Sequence, residues 1–244
     1  MKKVSPSITS MTVWPCGIGL RATFIKPNPA KSVVPTNAAV INFFFITIYK
    51  YNTTMDVYFK KEIVYPFEGK KFYFDLGETL FSTFDIDHGT DILIRSIAPE
   101  TTPSSILDLG CGYGPIGICL AAKFSRSKIT MTDRDLLAIR YANLNIQKNN
   151  IPNATAIGSL GLESVSDQTF DLIVSNIPAK IGDDAILQEF ILEPYRHLNP
   201  KGELWIVIIK ALNRLIPKIA GENSLNIKEI RDRKGHVVYR IIHS

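Results

Sequence analysis

The sequence predicts an α/β protein built on a doubly wound, mostly parallel, seven-stranded sheet of the Rossmann-like kind, with one antiparallel strand and an N-terminal β-hairpin. Two observations carry this reading. From Ser105 onward, short apolar runs of the buried-strand type alternate with stretches of helical periodicity. The alternation then closes on two runs, 226–231 and 236–242, joined by Lys234-Gly235, which places one antiparallel strand near the sheet edge.

The elements follow in order. Val57–Val64 and Lys71–Leu76 are aromatic and β-branched runs separated by Pro66-Phe67-Glu68-Gly69-Lys70, which reads as a hairpin. A polar loop leads to a helix over 89–97. Strand 106–109 precedes a helix from Pro115 to Phe124, and strand 128–132 precedes one from Asp135 to Lys148. A short strand follows at 154–157. Phe170-Asp171-Leu172-Ile173-Val174 is a continuous apolar strand, buried on both faces. Helix 184–198 stops at Asn199-Pro200-Lys201-Gly202, strand 204–209 follows, and a helix around 213–220 leads into the closing hairpin.

Of 244 residues, 45% are hydrophobic, enough for one substantial core. The formal charge of +5 is unevenly spread. Residues 1–54 hold Lys2, Lys3, Arg21, Lys26, Lys31 and Lys50 and no acid, so 55–244 carry 22 basic against 23 acidic residues. The basic pI is therefore no argument for nucleic-acid binding. The apolar run 38–49 is too short for a spanning helix, which needs about 20 residues, and no membrane association is expected. Residues 1–54 read as an extension without a fold, with translation starting at Met55. The domain then occupies 55–244, with the hairpin and lead-in helix in 55–104 and the core in 105–244. Cys16, Cys111 and Cys119 have no metal-ligand spacing, so no metal is expected, and their odd number fits a reducing, cytoplasmic setting.

Strand 106–109 contains the carboxylate of Asp108 and turns through Gly110-Cys111-Gly112-Tyr113-Gly114. Glycines at such a turn reach positive φ without strain and let a ligand approach the backbone. The carboxylate discriminates between ligands. A pyrophosphate on the following helix N-terminus would be repelled by it, whereas S-adenosylmethionine (SAM) carries an ammonium and a sulfonium that it attracts. Gly112-Tyr113-Gly114-Pro115-Ile116-Gly117 also satisfies G-x-G-x-x-G, so an NAD-linked oxidoreductase is the competing reading, separable by a SAM and NAD binding titration. The next strand ends on Asp133, placed to accept both hydroxyls of a ribose or to cap the following helix. Ser159, after the third strand, is a candidate for the adenine amino group, although an ordinary turn explains it equally well.

The strand starting at Phe170 ends in Ser175-Asn176-Ile177-Pro178-Ala179-Lys180. Here the chain resembles the class I SAM-dependent methyltransferases that modify exocyclic amino groups, and within them the ribosomal RNA guanine-N2 methyltransferases with the small methyltransferase domain. The resemblance runs from about Phe59 to Ile242. It takes in Leu80-Phe81-Ser82, Asp85-Ile86-Asp87-His88-Gly89-Thr90, the segment 108–117, the Asn-x-Pro loop, the segment Arg196 to Trp205, and Lys234-Gly235.

The resemblance implies methylation of an RNA base amine, most readily guanine N2 in ribosomal RNA, by a monomer or weak dimer working on RNA or a ribosomal subunit. The chemistry of such an amine explains the loop. Its lone pair is delocalised into the ring, so accepting its hydrogens on the Asn176 side-chain oxygen and the Ile177 carbonyl aligns the nitrogen with the methyl. Pro178 stiffens the loop. Two departures stand out: Ile177 replaces the family's first proline, and Ala179 replaces an aromatic that stacks on the target base. Phe81 or Phe84 is expected to stack instead, and Lys180 and Lys210 are candidates for phosphate contacts. Adenine N6, a protein glutamine amide, and a non-catalytic SAM-fold RNA-binding or interaction protein remain alternatives.

Overall fold

The computed structural model describes residues 56–78 and 86–243. The extension 1–54 and the candidate stacking residues Phe81 and Phe84 lie outside them. Among the described residues, nine strands form two sheets. Strands β1 (Phe59–Phe67) and β2 (Lys70–Gly77) make an antiparallel hairpin. The others, β3 (Ser105–Leu109), β4 (Lys128–Asp133), β5 (Ala154–Gly158), β6 (Phe170–Asn176), β7 (Leu198–Ile209), β8 (Asn226–Arg233) and β9 (His236–Ile242), form one sheet in the order β5-β4-β3-β6-β7-β9-β8. β9 runs antiparallel to both β7 and β8, so among the described strands of this sheet it alone is reversed. This is the expected doubly wound sheet with one reversed strand.

Side-chain alternation along the strands builds a core on each face. On one face Ile106, Met131, Val174 and Trp205 pack under α1 (His88–Ser96), α2 (Pro115–Lys123) and α3 (Leu136–Lys148). On the other, Leu107, Leu109, Ile173 and Ile206 meet the helical segment 183–196 and α6 (Leu215–Glu222). The hairpin is fixed to the first face by the buried Asn145. Its amide exchanges hydrogen bonds with the Asp75 backbone at 2.7 and 3.1 Å and donates to Tyr113 O at 2.9 Å, tying the hairpin to the glycine loop.

Three boundaries differ from the sequence expectation. The hairpin turns at Glu68-Gly69 alone, and Pro66 lies within β1 opposite Lys71. The Pro66 carbonyl accepts from Arg95, away from β2, so the N–H that proline lacks would likewise have pointed off the ladder. The helix expected over 184–198 is instead α4 (Asp183–Leu187), a π-helical turn (Gln188–Leu192) and α5 (Glu193–Arg196). Pro194 cannot donate to the carbonyl four residues back, and the wider turn before it absorbs that loss. Finally, β7 begins at Leu198 rather than 204. Leu198 pairs with Phe170, Asn199–Gly202 bulge, and pairing resumes at Glu203 opposite Leu172. The bulge is tight at Gly202, where a Cβ would lie 2.8 Å from Asn199 O.

Candidate active site

Strand β3 pairs with β4 on one side and β6 on the other, so the chain changes direction across the sheet between β3 and β6. A crevice opens at the carboxyl ends of strands at such a point. A cavity of about 410 Å³ occupies it here, a size suited to a small-molecule ligand. Gly110, Cys111 and Gly112 form one wall, Asp133 and Ser159 the second, and Asn176, Ile177, Pro178 and Ala179 the third.

The glycine loop is held from beneath. Gly110 N and Cys111 N both donate to Thr132 O, at 2.8 and 2.9 Å. Gly110, Gly112 and Gly114 have φ of 72°, 56° and 95°, the left-handed region that the sequence reading required. A Cβ on Gly112 would have nothing within 4 Å, so its backbone borders open space. Burial pushes the Cys111 thiol up, which keeps it neutral. The loop thus offers uncharged backbone rather than a reactive group.

Asp108 does not line the cavity, in contrast to the expected attraction of ligand charge. Alternation turns its side chain to the face covered by α2, where Oδ2 accepts from Gly117 N at 2.8 Å. The other oxygen is buried without a hydrogen-bond partner among the described residues. Burial pushes this carboxyl up to about 7; the Gly117 N–H opposes the shift and the charge of Asp133 adds to it. Asp133 does line the cavity. Its Oδ2 accepts from Gly112 N at 2.8 Å and its Oδ1 from Asp135 N at 2.9 Å, so it braces the glycine loop as well as lining the cavity. Asp135, not Asp133, caps α3. Ser159 Oγ accepts from Ser164 N at 3.1 Å, and Gly114 lies inside the fold as the cap residue of α2.

On the third wall, Ser175 Oγ donates to Leu109 O at 2.8 Å and fastens the tip of β6 to that of β3. Ile177 N donates to Val207 O at 3.0 Å, and its carbonyl receives no hydrogen bond among the described residues. The Asn176 amide is oriented by two acceptors: Nδ2 donates to Asp87 Oδ2 and to Thr90 Oγ1, each at 2.9 Å. Both amide hydrogens are therefore committed. Oδ1 is the atom left for a ligand.

Among the cavity residues not singled out as candidates in the sequence are Asp87, Thr90, Phe190 and His236. The Asp87-x-Gly89-Thr90 stretch carried a signal, since Asp87 caps α1, but nothing local says that it also reaches Asn176. Phe190 lies on the π-helical turn and faces Gly110, the aromatic presence that Ala179 lacks. Lys180 and Lys210 are exposed and outside the cavity lining. Lys210 is paired with Asp232 at 2.5 Å, which makes it a poorer phosphate contact than its position suggested.

Residues 72–240 match the family model of the methyltransferase small domain. The chain belongs to this family. Relatives in sequence include an uncharacterized protein, YbxB, of Bacillus subtilis (strain 168), 37% identical over 142 residues that cover 58% of this chain and 70% of the relative. The ribosomal RNA small subunit methyltransferase C of Actinobacillus pleuropneumoniae serotype 7 (strain AP76) is 32% identical over 163 residues, 62% of this chain and 49% of the relative. The chain thus spans about half the length of that enzyme.

Among solved structures of similar fold, the T. thermophilus 16S rRNA N2 G1207 methyltransferase in complex with AdoMet and guanosine superposes with a TM-score of 0.64 at 19% identity, over 75% of this chain and 50% of that one. A methyltransferase from Pyrococcus furiosus gives 0.56 at 21%, over 85% of this chain and 98% of that one. In the small-domain family to which this chain belongs, the seven-stranded sheet and its crevice are thus accompanied by recognisable sequence from β2 to β9.

Proposed function

We propose that the protein is a SAM-dependent methyltransferase acting on an exocyclic amine of an RNA base, guanine N2 of ribosomal RNA in the cytoplasm. The observation that carries this reading is the fixed amide of Asn176. With both N–H hydrogens held by Asp87 and Thr90, the side chain can only accept a hydrogen bond from what enters the cavity. Ile177 lines the cavity beside it, and its carbonyl serves in this reading as the second acceptor. Two acceptors side by side suit a ligand that presents two N–H hydrogens from one nitrogen.

The residues of the first two walls fit SAM. The open backbone of Gly110–Gly112 accommodates its close approach, Asp133 has lone pairs available for ribose hydroxyls, and Ser159 lies beyond at the end of the neighbouring strand β5. Bound there, SAM supplies an electrophilic methyl group. The chain's own contribution is positional and electrostatic. Asn176 Oδ1 and the Ile177 carbonyl hold the amine hydrogens, align its lone pair, and stabilise positive charge developing on nitrogen. The relatives named as ribosomal RNA methyltransferases support the choice of RNA, and the guanosine bound in the T. thermophilus enzyme supports guanine.

The test is mass analysis of ribosomal RNA nucleosides from cells lacking the gene. Loss of N2-methylguanosine at one position, restored by the gene, is expected. An unchanged nucleoside profile overturns the RNA assignment, and loss of N6-methyladenosine moves it to adenine.

A further inference from the structure

We infer that Asp87 is a positioning residue for the transfer: it requires an amide at position 176 and turns that amide's oxygen toward the acceptor. The inference rests on the reading of Asn176 as the contact to the acceptor amine. Asp87 lies 89 residues before Asn176 in the chain, on the cap of α1 rather than on either cavity loop. Its Oδ2 accepts from Thr90 N at 3.2 Å, which fixes the carboxylate on the helix terminus, and from Asn176 Nδ2 at 2.9 Å. Thr90 Oγ1, buried one turn into α1, takes the second amide hydrogen.

A half-turn of the amide would bring Oδ1 against the Asp87 carboxylate, acceptor against acceptor, so one orientation is enforced. The carboxylate also polarises the amide it grips, raising the negative charge on Oδ1 where the acceptor amine becomes positive. Gly89 makes room for this arrangement. A Cβ there would lie 2.9 Å from both Asp87 Oδ2 and His236 Cδ2, so carboxylate and imidazole close on a space that any side chain at 89 would fill.

The arrangement constrains chemistry at 176 itself. Aspartate is a conservative replacement for an amine-binding asparagine, but here it would set two carboxylates against each other at the 2.9 Å now spanned by a hydrogen bond. Replacing Asp87 by asparagine supplies the missing donor. The defect of N176D is therefore reversible from position 87.

The experiment uses the full chain, labelled SAM and RNA from cells lacking the gene, with kcat, acceptor KM, SAM affinity and thermal midpoint measured on each variant. D87S keeps a side chain that caps α1 but removes the carboxylate. It is expected to lower kcat by about tenfold or more while SAM affinity stays within about twofold. N176D is expected to fall by about a hundredfold, and D87N/N176D to recover about tenfold over N176D. Parental kcat in D87S, or a double variant no better than N176D, overturns the inference. An NMR measurement separates it from the reading of function: the Asn176 side-chain amide hydrogens should exchange slowly in the parent and rapidly in D87S. Equal exchange rates overturn the orientation by Asp87 whatever the activity, whereas a parent that methylates no RNA with the amide protected overturns the assigned function instead.

Discussion

Asp108 Oδ2 accepts a hydrogen bond from Gly117 N at 2.8 Å, so the acid of the glycine motif grips the first turn of the helix behind the loop. Its effect on the cavity is therefore through the loop's geometry rather than through direct contact. Holding Gly117 fixes the start of α2, and with it the path of the three glycines above.

Replacement separates the two actions. D108N retains an oxygen for the Gly117 N–H and is expected to bind SAM within about threefold of the parent; D108A leaves that N–H without its acceptor and should weaken binding by roughly 1–2 kcal/mol. Isothermal titration with SAM on both variants checks this. Equal losses for asparagine and alanine would point to direct contact between the charge and the cofactor.

The same carboxyl gives a pH dependence. Its value in the fold is about 7 against an ordinary 3.8, so the folded protein binds a proton that the unfolded chain has released between those limits. The stability it contributes is present below about pH 4 and is lost as pH rises through about 7, at no more than about 1.4 kcal/mol per unit. Urea unfolding of parent and D108N from pH 4.5 to 8 should show the parent losing stability relative to the variant. A difference independent of pH would place the Asp108 proton elsewhere.

Asn176→Ala is expected to leave SAM affinity nearly unchanged and to lower turnover by about a hundredfold, since the contact proposed for its amide oxygen is with the acceptor and acts chiefly in the transition state. Calorimetry and methyl transfer on one preparation decide it. Near-parental turnover would remove Asn176 from the chemistry.

A chain beginning at Met55 is expected to fold with parental cooperativity and SAM affinity. The β1 strand starts at Phe59, and Asp56 is tied to α3 by Tyr141 Oη at 3.0 Å and by the Arg140 guanidinium at 3.1 Å. Circular dichroism melting and SAM titration check it; loss of a cooperative transition would assign residues 1–54 a part in the domain.

The sheet, its single reversed strand and the two loops at the crevice are legible in the chain alone. Those signals are local: buried parallel strands read as unbroken apolar runs, and the positive-φ turns at Gly110, Gly112 and Gly114 need glycine. What each side chain meets was decided only by tertiary structure. Asp108 was legible as an acid at a strand end, but its face was fixed by the helix packed over it. Phe190 entered the cavity because a π-helical turn before Pro194 changed the helical phase, which no regular periodicity foretells. Lys210 was claimed by Asp232 across 22 residues, and Asn176 by Asp87 across 89. A hydrogen bond between distant residues leaves no spacing in the chain, because its geometry exists only once the sheet has brought their strand and helix ends together.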